Sequence, residues 1–104
     1  MEKPTMQKIV DIGEAIRHPL RLKIIHLLSQ REWYVYELAK KLNVSRQVLY
    51  LHLKRLEKAG FVEGDLRLEA DDMRAKNFYR LKEFRVELGI GDLDEIFVKL
   101  PNDR

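Results

Sequence analysis

The sequence predicts a small α+β fold, mainly α, on three observations. Apolar residues recur at helical spacing in successive stretches from residue 5 to residue 59. Immediately after Gly60 the period drops to two, with Val62, Leu66 and Leu68 alternating with Glu63, Asp65, Arg67 and Glu69, the pattern of a half-buried strand. A last amphipathic stretch, Leu93, Ile96, Phe97 and Leu100, is stopped by Pro101. The predicted order is helix, helix, helix, turn, helix, hairpin, helix.

Met6, Ile9, Val10, Gly13 and Ile16 place a first helix over 5–17. Pro19 suits the first position of a second helix, because its missing donor would be unpaired there, and His18 stands at the cap. That helix runs through LRLKIIHLL to about Ser29. Residues 32–35 are short and aromatic, enough for a small strand or an extended linker. ELAKKL (37–42) forms a third helix with Leu38 and Leu42 inward and Ala39 small enough for another helix to cross closely. Tyr36 precedes it where Ser or Thr would be the usual cap. Asn43 can take the left-handed conformation that ends this helix, and Ser45 caps the next. The fourth helix spans 45–59, with Leu49, Leu53 and Leu56 inward, Val48 and His52 flanking them, and Gly60 as terminator. Tyr79 and Leu81 share one face of a second strand, and Phe78 and Arg80 the other. ADDMRA (70–75) contains no glycine, so the hairpin loop is expected to exceed two residues.

A chain of 104 residues is one domain in size, with 45% apolar and 36% charged residues. No apolar run approaches the length that crosses a bilayer. The first fifteen residues carry acidic side chains and lack the apolar stretch and small-residue cleavage site of a secretory signal, so an intracellular, unprocessed, cytoplasmic chain is expected. The absence of cysteine excludes disulfides, iron–sulfur clusters, thiolate zinc sites and a cysteine nucleophile. The three histidines, His18, His26 and His52, lie far apart without metal-ligand spacing, and no nucleophile–base pair or phosphate loop is present. The expectation is therefore no enzyme, no metal and no cofactor.

The net charge of +3 is unevenly spread. Residues 37–60 hold Lys40, Lys41, Arg46, Lys54, Arg55 and Lys58 against Glu37 and Glu57, whereas Glu87, Asp92, Asp94, Glu95 and Asp103 make the last segment acidic. A basic segment concentrated on a helix-turn-helix is the electrostatic footprint of a polyanion partner. Two helices joined by a three-residue turn and followed at once by a two-stranded ribbon describe a winged helix-turn-helix, with 37–60 as the helix-turn-helix and 61–82 as the wing. Arg46 and Gln47 can each make paired hydrogen bonds to base edges. Tyr50 and Leu51 offer apolar contact to thymine methyls, Lys54 and Arg55 reach phosphates, and Ser45 joins this set at the helix start. Arg74 and Lys76 place cations at the wing, beside Asp71 and Asp72, whose carboxylates oppose deep insertion.

Residues 14–82 resemble the arsenic-resistance-repressor (ArsR) group of winged-helix transcriptional regulators. RHPLRLKIIHLL resembles the second helix of that family, YELAKKLNVSRQVLYLHLKRLEKAGFV its helix-turn-helix, with Ser45, His52, Leu53, Ala59 and Gly60 at matching positions, and NFYRL its returning wing strand. The resemblance implies a sequence-specific DNA-binding regulator. Metal-sensing members carry a Cys-Val-Cys element where this chain has Tyr34, Val35 and Tyr36, and phenols are poor ligands for soft metals. A second family site uses acids and histidines on the last helix, and DLDEIFVKL has no histidine. The resemblance therefore implies a regulator without the best-known metal switch.

The terminal segments 1–17 and 87–104 carry apolar stripes that a winged core does not need. Met6, Ile9, Val10, Ile16, Leu93, Ile96, Phe97 and Leu100 are expected to pair two copies across a two-fold axis, so that a homodimer reads a pseudo-palindromic duplex DNA operator. Two alternatives stay open. The winged helix could serve protein or RNA contact through Tyr50 and Leu51, or Trp33, Tyr34 and Tyr36 could line a pocket for a small apolar effector.

Overall fold

The computed structural model describes residues 5–69 and 72–99. Helix α1 (Met6–Ile16) is followed by α2 (Pro19–Gln30), strand β1 (Trp33–Tyr34), α3 (Val35–Leu42), α4 (Arg46–Lys58), strands β2 (Val62–Glu69) and β3 (Asp72–Leu81), and α5 (Ile90–Lys99). This is a mainly helical α+β architecture. The wing is larger than two strands, because β1 adds to β3 and makes an antiparallel sheet of order β1-β3-β2.

Local chemistry sets most helix ends. The Thr5 hydroxyl oxygen accepts from Lys8 N at 3.1 Å, His18 Nδ1 accepts from Leu20 N at 3.1 Å, and Ser45 Oγ accepts from Val48 N at 3.1 Å. Asn43, at φ 57°, ends α3 in the left-handed region, and Val44 N donates back to the Ala39 carbonyl at 3.0 Å. Gly60 (φ 85°) does the same after α4, where Phe61 N donates to the Leu56 carbonyl at 2.9 Å. The core lies between α4 and the other elements. Leu49, Leu53 and Leu56 are wholly buried against Ala15, Ile24, Leu28, Leu38, Ala39, Phe61, Val62 and Tyr79. Lys8 Nζ donates to the Ala59 carbonyl at 2.8 Å, tying α1 to the end of α4.

Several expectations change. Helix α3 begins at Val35, two residues early, because β1 is only two residues long and the buried Val35 leads directly into the stripe of Leu38 and Ala39. Tyr36 is thus inside the helix, and Tyr34 is an N-cap without a side-chain hydrogen bond. The wing strands reach Glu69 and start again at Asp72, paired with each other, so only residues 70 and 71 separate them and the expected long loop is replaced by strand. A ladder irregularity between Arg67 and Glu69 accommodates the closure. Leu66 and Leu68 are 67% and 73% exposed rather than half-buried. Their strand alternates as expected, but β2 runs on past the last helix that could cover it. Leu100 and Pro101 lie outside the described residues, so the expected helix stop is not part of the description.

Gly64 faces Tyr79 across the ribbon, and a Cβ there would stand 2.7–2.9 Å from three ring atoms. Tyr79 is itself buried, so the ring has little room to yield. Gly64→Ala is expected to destabilise the fold by about 1–3 kcal/mol, read as a lower urea midpoint with unchanged slope.

Candidate nucleic-acid interface

The turn from Asn43 to Ser45 sets α4 across α3, and the buried leucines decide which side of α4 faces out. Arg46, Gln47, Leu51, Lys54 and Arg55 are exposed on that side, Leu51 at 68%. Ser45 is exposed too, with its hydroxyl oxygen engaged by the cap. The only carboxylate on α4, Glu57, is turned to the wing, where Tyr79 donates to its Oε1 at 3.3 Å. Burial first, then Glu57, pushes the Tyr79 phenol up to about 12.

Tyr50 departs from the expected outward face. It is half-buried against the core, and Asn77 Nδ2 donates to its hydroxyl at 2.6 Å, joining α4 to β3. Its direction is set by wing packing, a contact 27 residues away in sequence. The backbone of Arg74 is in β3, and its side chain lies outside the described residues. Lys76 is half-buried, with its Nζ 5.2 Å from the Tyr34 ring.

The aromatic cluster divides. Trp33 is only 9% exposed and packs into the core, its Nε1 donating to the Leu27 carbonyl at 3.0 Å, while Arg31 stacks over its ring at 3.6 Å. Adjacent strand positions point to opposite sheet faces, so Tyr34 instead joins Phe78 at 5.7 Å and Tyr36 at 6.0 Å on the outer face. Trp33 and Tyr36 share an open groove of about 450 Å³ with Glu37, Lys40 and Lys41, and Tyr34 does not line it. The three aromatics expected to form one pocket are thus brought together only in part.

The outer wing face carries an ion-pair network that sequence reading missed. Arg67 donates to Glu32 at 2.8 Å and to Asp65 at 3.0 Å, and Arg80 donates to Glu63 at 3.0 Å. The bond from Arg67 holds the Glu32 carboxyl below its usual range. Arg67 and Glu32 are 35 residues apart, with no local sequence signal to join them. Also unforeseen is the partner that Arg21 finds. This buried arginine of α2 donates from Nε to His52 Nδ1 at 3.0 Å and from a terminal nitrogen to the Glu14 carbonyl. His52, flanking the inward leucines, is thus packed and hydrogen-bonded.

Met6, Val10 and Ile16 of α1 and Leu93 and Phe97 of α5 are exposed, whereas Ile9 and Ile96 are half-buried. Helix α5 is scarcely packed against any other element. Among the described residues no helix is long and apolar enough to cross a membrane, and no group of three or more His, Cys, Asp or Glu side chains could hold a metal ion.

Residues 18–64 match the family described as bacterial regulatory protein, arsR family. The chain is 48% identical over 77 residues to an uncharacterized HTH-type transcriptional regulator of Methanocaldococcus jannaschii, covering 74% of this chain and 79% of that protein. HlyU from Vibrio cholerae superposes with a TM-score of 0.57 at 28% identity, over 88% of this chain and 87% of that one. A Mycobacterium bovis domain described as a homodimeric winged helix-turn-helix DNA-binding domain superposes with a TM-score of 0.61 at 26% identity, over 73% of this chain and 65% of that one. NolR from Sinorhizobium fredii, at 20% identity and a TM-score of 0.59, shares the fold, over 94% of this chain and 92% of that one.

Tyr50→Phe is expected to leave Asn77 without its partner and to lower stability by about 1 kcal/mol. The loss should appear in urea denaturation together with altered side-chain amide signals of Asn77.

Proposed function

Because the chain belongs to the arsR family of bacterial regulatory proteins and is thus a transcriptional regulator of winged helix-turn-helix type, we propose that it binds duplex DNA sequence-specifically as a homodimer on a pseudo-palindromic operator. The observation that carries this reading is the outer face of α4. Arg46, Gln47, Leu51 and Lys54 stand exposed on it, and the helix's one carboxylate, Glu57, is drawn aside to Tyr79. A helix with such a face fits the major groove, where a carboxylate beside phosphates would repel.

In this reading Arg46 and Gln47 read base edges, Leu51 meets thymine methyls, and Lys54 and Arg55 pair with phosphates. Ser45 holds the N-terminus of α4 in place, and Tyr50 contributes from the wing side while bonded to Asn77. Arg74 and Lys76 serve the phosphate backbone beside the wing. The exposed apolar residues of α1 and α5 support pairing of two copies, which would place two recognition helices about one DNA turn apart. The Mycobacterium bovis domain, described as homodimeric, supports the same arrangement. The reading includes no catalysis and no cofactor, and the compartment it implies is the cytoplasm. A second reading, contact with another protein, is favoured by the exposure of Leu51, Leu66 and Leu68.

A labelled duplex from upstream of the chain's own gene is expected to bind more tightly than a scrambled one, with affinity falling as salt rises. Arg46→Ala and Gln47→Ala are each expected to cost about 1–3 kcal/mol at the specific duplex, while Arg74→Ala weakens all duplexes alike. Salt-insensitive behaviour with no duplex preference would favour the protein-contact reading. Sedimentation is expected to show a dimer at micromolar concentration and a monomer for Phe97→Asp; a monomeric parent chain would overturn the two-fold arrangement.

A further inference from the structure

Arg21 joins three helices at one point: the end of α1 through the Glu14 carbonyl, the start of α2 on which it stands, and the middle of α4 through His52. The His52 Nδ1 is an acceptor in this arrangement, so the ring is neutral with its proton on Nε2. His18, which caps α2, also accepts through Nδ1, and its ring lies 4.8 Å from that of His52.

We infer that His52 is a positioning residue of the recognition helix, holding α4 against α2 and α1 while its Nδ1 is unprotonated, so that DNA binding weakens as the medium turns acid. The inference rests on the DNA-binding reading above. A proton on Nδ1 would face the Nε–H of Arg21, donor against donor, and the bond would be lost. The new charge would meet Arg21 and His18 from α2, and Arg21 itself already stands against Arg55 of α4 and Arg17 just past α1. The acid on that side, Glu14, pairs with Arg17 at 3.3 Å. Burial first, then Arg21 and His18, keeps the His52 imidazole below its ordinary value. The folded value therefore lies below the unfolded one. The tie is present above the usual imidazole range and is lost as pH falls through the folded value.

Arg46 and Gln47 ride on the same helix, and contacts to base edges tolerate displacements of only about 0.5 Å. The sign of the effect separates this device from ordinary electrostatics. Protonating any of the three histidines adds positive charge, which by itself tightens binding to a polyanion.

The test uses the full chain. Near neutral pH, a long-range 1H–15N spectrum is expected to show His52 as the Nε2–H tautomer. Between about pH 7.5 and about pH 5, a range that brackets ordinary imidazole titration, amides along α4 and at the end of α1 are expected to shift with the His52 midpoint while circular dichroism stays that of the folded chain. Over the same range at fixed salt, affinity for the promoter duplex is expected to fall by about tenfold, the change for one proton across one pH unit. His52→Asn keeps an acceptor near the Nδ1 position and takes up no proton. It is expected to bind like the parent near neutrality and to lose the acid dependence. Tighter or unchanged binding in acid, or the same fall in His52→Asn, overturns the inference. Unfolding over the range overturns it too, since His52 would then be holding the fold and not the helix orientation. If α4 amides do not follow His52, the positioning role fails whether or not any duplex binds. If they follow it and no duplex binds at any pH, the DNA reading alone has failed.

Discussion

Burial of Leu49, Leu53 and Leu56 along one side of α4 is the constraint on which the remaining structure depends. Truncating any one of such leucines typically costs about 2–5 kcal/mol, several times the net contribution of a single hydrogen bond. Helix α1, α2, α3 and the base of the sheet are all arranged to cover that stripe, with Ala15, Ile24, Leu38 and Val62 meeting it from different directions. Once one side of a single helix is enclosed in this way, the opposite side is committed to solvent or to a partner. The exposed face of α4 is a consequence of the core.

Burial alone fixes the position of α4 loosely in rotation and tilt, because leucines adapt. Directional bonds on its flanks supply the rest. Tyr50 and Glu57 hold the wing side through Asn77 and Tyr79, His52 holds the opposite flank through Arg21, and Lys8 reaches the carbonyl of Ala59 at the end. Each of these bonds contributes modestly to stability, but each is broken by a small displacement, and together they define one orientation for Arg46 and Gln47.

The surface is divided by charge and polarity as well as by position. Cations gather on the outer side of α4, the outer wing face pairs Arg67 and Arg80 with Glu32, Asp65 and Glu63, and apolar side chains are left uncovered on α1 and α5. Helix α5, with Asp92, Asp94 and Glu95, is acidic. A polyanion approaching such a surface is steered toward α4 and away from α5.

By itself the sequence determined the elements and their order, because the signals that start and stop them are local. His18 and Ser45 cap within three residues of themselves, Pro19 starts its helix without needing a partner, Asn43 and Gly60 need only their own left-handed backbones, and the change of period after Gly60 announces the ribbon. The outward direction of Arg46, Gln47 and Lys54 followed from the leucine spacing alone. Only the tertiary structure decided what covers each face and which distant side chains meet. Alternation places Leu66 and Leu68 on the same face as Val62, but whether a helix lies over them depends on how far β2 runs. The turning of Tyr50 to Asn77, the separation of Trp33 from Tyr34, and the capture of His52 by Arg21 join residues from different elements or set neighbours on opposite faces. Periodicity tells which way a side chain points along its own helix or strand, and the packing of one element on another decides what it finds there.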